Sequence, residues 1–163
     1  MQLEGSCHCG AVSYTVTAHE PVPFMRCYCS ICRKTAGGGG YAINLGALSA
    51  SLKVDDPQGA VRVFRAEIRR ESGICERSTG ERNFCALCAT ALWLYSPEWP
   101  QLAHPFASAI DSDLPEPPCS THLMLRFKPS WVRVEERPGD LMFDLYPEQS
   151  LEAWHRAHGL WVD

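Results

Sequence analysis

Seven of the chain's nine cysteines fall in three tight groups, Cys7-x-Cys9, Cys27-x-Cys29-x2-Cys32 and Cys85-x2-Cys88. No other feature restricts the fold as strongly. Sulfurs so spaced can share a metal ion, and an ion bound by distant groups decides which segments must meet. The groups divide into a set of four and a set of three. Four thiolates close a tetrahedral zinc shell; three leave one position for a reactant. The sequence therefore suggests one zinc that holds the fold and a second that could do chemistry.

At 163 residues the chain suits a single domain, 1–163, with one sizeable core. Its 45% apolar and 21% charged content are those of an ordinary globular protein. The formal charge is −4; ionising seven thiols and adding two Zn²⁺ gives −4 − 7 + 4 = −7. That sign offers nucleic acid no general attraction. Short basic spots such as Arg69-Arg70 read as solvated surface. No run approaches the ~18 apolar residues of a membrane span. Met1 to Gly5 shows no secretory pattern, so the expected compartment is the cytoplasm. Thiols stay reduced there, and grouped cysteines more often bind metal. The odd cysteine count also argues against complete intrachain pairing.

Short strands between turn signals dominate the rest, which predicts a mainly β, largely antiparallel fold. Val12, Tyr14 and Val16 alternate with Ser13 and Thr15. Further strands are expected at Tyr41–Leu45, Val61–Ile68, Thr90–Tyr95, Phe106–Ile110, His122–Phe127 and Trp131–Val134. Two stretches look helical. Cys29–Thr35 would bring Cys29 and Cys32 to one face at i, i+3. After Pro147, Leu151, Trp154, His155 and His158 recur at helical spacing, with Gly159 as a C-terminal cap. This short C-terminal helix is expected to pack its Leu151/Trp154 face on the sheet.

Cys7, Cys9, Cys85 and Cys88 form two pairs far apart in sequence, so a shared zinc would close a loop of more than seventy residues. Cys27, Cys29 and Cys32 have no obvious fourth ligand nearby. Cys75 or Cys119 could supply one; an iron–sulfur cluster, a reactive thiol or an internal disulfide are the other readings. Zn²⁺ with three thiolates carries −1, which makes it a weaker Lewis acid than a three-histidine site and better suited to holding a fourth sulfur. Arg33 and Lys34 could offset that charge, and Gly37–Gly40 could line a pocket or be a plain loop.

The ordered set G-x-C-x-C-G-x-V-x-Y (Gly5 to Tyr14), C-x-C-x2-C-R-K-x2-G (Cys27 to Gly37) and R-x-F-C-x2-C (Arg82 to Cys88) resembles the glutathione-dependent formaldehyde-activating enzyme family, which also contains centromere protein V. The likeness continues through Ala107–Asp111, His122-Leu123 and Lys128–Val132. It implies a β-tent zinc fold, a structural metal on Cys7, Cys9, Cys85 and Cys88, and a catalytic metal on Cys27, Cys29 and Cys32. The activity implied is that of a carbon–sulfur lyase or synthase, reversibly joining glutathione and formaldehyde into S-hydroxymethylglutathione. The partner is then a small thiol or thiol adduct. Ala89 stands where the family usually has Gly, and Tyr28 where His is frequent. A non-catalytic module with two structural zincs, and a same-fold enzyme with another small substrate, are the competing readings.

Beyond the cysteines, His8 is expected at the surface, and His104, His122 and Asp111 as ordinary polar residues. Trp93, Trp99 and Trp131 read as core or rim, and Glu81 and Arg82 as a pair across the Cys85 knuckle.

Overall fold

Period-2 alternation in Gln2–Ser6 (β1) and Ser13–Thr17 (β2) buries Leu3, Gly5, Tyr14 and Val16 on one face. The computed structural model describes residues 1–69 and 72–163; Arg70, half of the Arg69-Arg70 pair, lies outside the described residues. After β2 come β3 (Met25–Cys27), helix α1 (Ser30–Thr35), β4 (Ala42–Ile43), β5 (Ala47–Leu48) and β6 (Lys53–Asp55). The middle of the chain supplies β7 (Val61–Phe64), β8 (Glu67–Arg69), β9 (Cys75–Arg77), β10 (Glu81–Cys85), β11 (Ala91–Tyr95) and β12 (Leu102–Pro105). Strands β13 (Thr121–Leu123) and β14 (Leu141–Met142) and helix α2 (Leu151–Ala157) follow.

These strands build a three-stranded sheet ordered β1-β2-β6, a five-stranded sheet β5-β12-β11-β10-β7, and a four-stranded sheet β14-β13-β3-β4, with β8 and β9 as a separate pair. The fold is mainly β, as expected, and most pairings are antiparallel. The exception is β13, which runs parallel to both β3 and β14. Parallel neighbours need a long connection rather than a hairpin. The turn-by-turn reading of the sequence could not show it.

The main core lies between the first two sheets. Leu3, Val12, Tyr14, Val16, Leu45, Leu92 and Trp93 fill it. Gly5 is required there: a Cβ would strike the Tyr14 ring and the Ala109 carbonyl. Across the register Gly5 faces Tyr14, whose hydroxyl donates to the Leu92 carbonyl at 3.3 Å. The Gly and Tyr of the first motif thus serve packing between sheets.

Several expected strands differ. Val61–Ile68 breaks into β7 and β8, which pair with different partners, because the chain turns at Arg65-Ala66. Phe106–Ile110 is a 3₁₀ turn over Ala107–Ala109, and the strand is the preceding Leu102–Pro105. His122–Phe127 ends as a strand at Leu123 and becomes a 3₁₀ turn over Leu125–Phe127, after Met124 takes φ 62°. Trp131–Val134 forms no strand; Val132 is buried against Gly40 instead. Trp99 and Trp131 are exposed, whereas Trp93 is in the core.

Both helices form where expected. Ser150 caps α2, accepting from the Ala153 N–H at 3.1 Å. At its other end Gly159 has φ 67°, the Leu160 N–H reaches the His155 carbonyl and the Gly159 N–H the Arg156 carbonyl. This is a Schellman stop. Trp154 stacks on Phe24 with ring centroids 3.7 Å apart. The helix therefore packs on the irregular Val22–Phe24 segment that leads into β3, not on a sheet face.

Candidate metal centres and the cavity beside them

The two turns that hold the four-cysteine set are built differently. Cys7 leaves β1 into a tight turn in which the Gly10 N–H donates to the Cys7 carbonyl, and Gly10 takes φ 74°. The Cys7 N–H bonds the Val12 carbonyl, and the Val12 N–H points at the Cys7 sulfur at 3.3 Å. Cys85 ends β10, and the Ala89 N–H returns to the Cys85 carbonyl at 2.8 Å. Ala89 adopts φ 61°, so the turn keeps its left-handed residue although it lacks glycine. An L-residue there carries about 1–2 kcal/mol of strain. Ala89→Gly relieves it against the glycine's greater unfolded-state entropy, so the variant should gain about 0.5–1 kcal/mol in denaturant melts.

Thr90 joins the two turns. Its hydroxyl accepts from the His8 N–H at 3.1 Å and lies 3.2 Å from the Cys88 sulfur. The Thr90 hydroxyl and backbone N–H hold the Cys88 thiol down at about 5. Sulfur–sulfur distances are 3.5 Å for Cys7–Cys9 and 3.8 Å for Cys9–Cys85, and all four sulfurs lie within 4.8 Å of one another. A tetrahedral shell with bonds of about 2.3 Å has sulfur edges of about 3.8 Å. The four donors therefore match a zinc shell in number, type and spacing. They connect the three-stranded sheet to the five-stranded one.

The second group sits where β3 runs into α1. Cys27 pairs with Leu123 on one side and Ala42 on the other. Cys29 caps α1, its sulfur accepting from the Cys32 N–H at 3.3 Å. Cys32 is buried one turn along, so a helix of only six residues suffices to converge the sulfurs. All three lie within 4.8 Å of one another, and no fourth His, Cys, Asp or Glu joins them among the described residues. Cys75 is exposed and points to Glu67; Cys119 lies 3.7 Å from the His158 ring. Neither completes the set. Hydrogen bonds from Cys27 and Cys32 hold the Cys29 thiol down at about 2, and the same sharing, with burial, pushes Cys27 far above the usual thiol range. Three sulfurs gathered this closely suit a thiophilic divalent cation.

Behind the triad, Tyr28 is buried and its hydroxyl lies 2.8 Å from His122 Nδ1. His122 Nε2 faces Asp140 Oδ2 at 3.5 Å. Asp140 accepts from the Ser120 N–H at 2.6 Å and the Arg137 N–H at 3.0 Å. Burial alone would raise this carboxyl; those donors outweigh burial and hold it below its ordinary value. Burial pushes His122 down, which keeps its ring neutral. Tyr28 and His122 are both almost fully enclosed, so this chain of contacts anchors the Cys27–Cys29 segment rather than meeting a reactant. His104 is a partly buried ring whose Nδ1 lies 3.1 Å from the Leu45 carbonyl oxygen. His8 is exposed, as expected.

Glu81 and Arg82 do not pair across the knuckle. Glu81 pairs with Arg65, while Arg82 turns inward and points Nη2 at the Cys32 sulfur at 4.0 Å. Arg82 also lines a cavity of about 300 Å³ whose other walls include Thr35, Phe64, Phe84 and Ala91. Tyr146 is largely exposed near the triad; partial desolvation and then the charges of Cys27, Cys29 and Cys32 push its hydroxyl up. In the glycine run, Gly37 and Gly40 are needed, since a Cβ would strike the Tyr41 carbonyl or Val132. Gly38 and Gly39 stand open.

Residues 2–123 match the sequence model of the family described as "Glutathione-dependent formaldehyde-activating enzyme". A Halomonas elongata protein named "Putative glutathione-dependent formaldehyde-activating enzyme" is 56% identical over 160 residues, covering 98% of each chain. The crystal structure of a Rhodobacter sphaeroides protein is similar in fold, with a TM-score of 0.50 and 23% identity over 69% of this chain and 91% of that one. Among the described residues no helix is long and apolar enough to cross a membrane. By the extent of the sequence match, the chain belongs to the glutathione-dependent formaldehyde-activating enzyme family.

Proposed function

We propose that the chain is one zinc-binding domain over 1–163 that acts as a carbon–sulfur lyase or synthase on a small thiol adduct, S-hydroxymethylglutathione being the expected substrate. Its work would lie in the cytoplasm, where the seven thiols stay reduced. The observation that carries this reading is the contrast between the two cysteine groups. One offers four sulfurs and the other three, with no further protein donor in reach among the described residues. That contrast weighs against a module with two closed sites.

In this reading Cys7, Cys9, Cys85 and Cys88 hold a zinc that keeps two sheets together. Cys27, Cys29 and Cys32 hold the second. Zinc there would supply a fourth coordination position and a positive charge that favours an incoming thiol as thiolate. The chain's own residues hold that position in place. Tyr28, His122 and Asp140 fix the segment between the first two sulfurs, and the Cys29 cap fixes the third. In the joining direction the thiol sulfur bonds to the aldehyde carbon and the thiol proton ends on the former carbonyl oxygen. No electrons are gained or lost, so no redox partner is needed.

Because the uncatalysed adduct forms on its own, the test is an exchange rate. Magnetization-transfer NMR on glutathione with formaldehyde should show faster exchange between free and adduct forms when the protein is added. Cys29→Ser should return the rate to background. If the intact zinc-loaded protein leaves the rate unchanged, the assignment to this substrate fails.

A further inference from the structure

Arg82 is a guanidinium that the fold encloses with no carboxylate partner among the described residues. Its residue exposure is 8%, and both Nε and Nη1 are buried with no hydrogen-bond partner. The neighbouring acid, Glu81, is taken by Arg65. A lone buried charge costs several kcal/mol, so a counter-charge is required. Among the described residues, the side-chain polar partner of Arg82 is the Cys32 sulfur, at 4.0 Å from Nη2. The cavity it lines is otherwise walled by uncharged residues, Phe64, Phe84 and Ala91 among them. There its field is weakly screened. Arg33 and Lys34, nearer in sequence, make no hydrogen bond to a triad sulfur among the described residues.

We infer that Arg82 is the counter-ion of the three-cysteine centre, and that it sets the centre's preference for an anionic fourth ligand. The inference rests on the reading that the triad holds a metal with an open position. A divalent ion with three thiolates carries −1; with Arg82 the sum is zero. A thiolate entering the fourth position then brings the sum to −1 rather than −2. A neutral ligand leaves it at zero. Arg82 therefore acts through the metal centre as a positioning charge, without touching the substrate, and it should favour thiolate over neutral donors.

The test uses Co²⁺-loaded protein, whose absorption bands report what enters the fourth position. Wild type, Arg82→Met and Arg82→Lys are each titrated with 2-mercaptoethanol, which binds as an anion, and with imidazole, which binds neutral. In Arg82→Met the thiol should bind more weakly by on the order of ten- to a hundredfold, from a charge pair several ångströms apart at an effective dielectric of about 20. Imidazole affinity should change less than about threefold on the same reasoning, and Arg82→Lys should restore most of the thiol affinity. Equal losses for both ligands would make Arg82 a packing residue and overturn the inference, as would an unchanged thiol affinity. If Arg82→Met fails to hold the second cobalt while Arg82→Lys holds it, the charge role stands. If both lose it, shape rather than charge is at work. A wild-type spectrum indifferent to both ligands would remove the open centre itself, a different failure from a wild type and Arg82→Met that respond alike.

Discussion

Cys85→Ser is expected to leave the chain without a cooperative folded state, and Cys7→Ser to do the same. Serine nearly matches cysteine in size, so the direct packing loss at these buried positions is small. The damage comes from the metal. A structural zinc supplies on the order of 10 kcal/mol of folding free energy in small domains, against a total stability of about 5–15 kcal/mol. An ion held by these four sulfurs would tie residues 7 and 9 to residues 85 and 88, and so would fix the sheet β1-β2-β6 against β10. Without it, a long stretch of chain recovers its freedom. Far-UV circular dichroism and a denaturant melt of the purified variants would check this. A variant that melts cooperatively at the wild-type midpoint would show that the four sulfurs do not carry the fold.

Cys29→Ser and Cys32→Ser are expected to behave in the opposite way. Each should bind one zinc fewer, lose the exchange activity and keep its secondary structure. The triad lies at a sheet end and a short helix, and the main core contains none of its residues. The cost should be limited to a small cluster, about 1–3 kcal/mol. Cys29→Ser retains an N-cap oxygen for the Cys32 N–H, so α1 should still start at Ser30. Metal analysis beside circular dichroism separates the outcomes. If both groups of variants unfold alike, the division between a holding site and a working site is wrong.

The grouping of the cysteines and much of the local structure were legible in the sequence because both depend on short spacings. Cys-x2-Cys and Cys-x-Cys-x2-Cys bring sulfurs together within one turn, and the structure gathers the same seven residues into two groups. The alternation at Ser13–Thr17 and the helical spacing after Pro147 were equally visible. What escaped were partners set by tertiary contact. Arg82 looked like half of a pair with Glu81 across the Cys85 knuckle, because nothing in R-x-F-C shows that Cys32, fifty positions earlier, faces it. Asp140 sits in a Pro-Gly-Asp turn with no sequence link to His122. The parallel pairing of β13 with β3 joins residues nearly a hundred apart. Ala89 stood out in the sequence as a departure from glycine, but its positive φ did not: the turn that returns its N–H to Cys85 imposes a backbone state the side chain does not favour.

Sulfur from this chain is expected to enclose one ion completely and another incompletely. Zinc-edge X-ray absorption on the loaded protein, together with metal analysis, addresses it directly. Two zincs per chain are expected, with about 3.5 sulfurs per zinc, the mean of a four-sulfur and a three-sulfur shell. Four sulfurs at both ions, or a reduced protein that retains no metal, would contradict it.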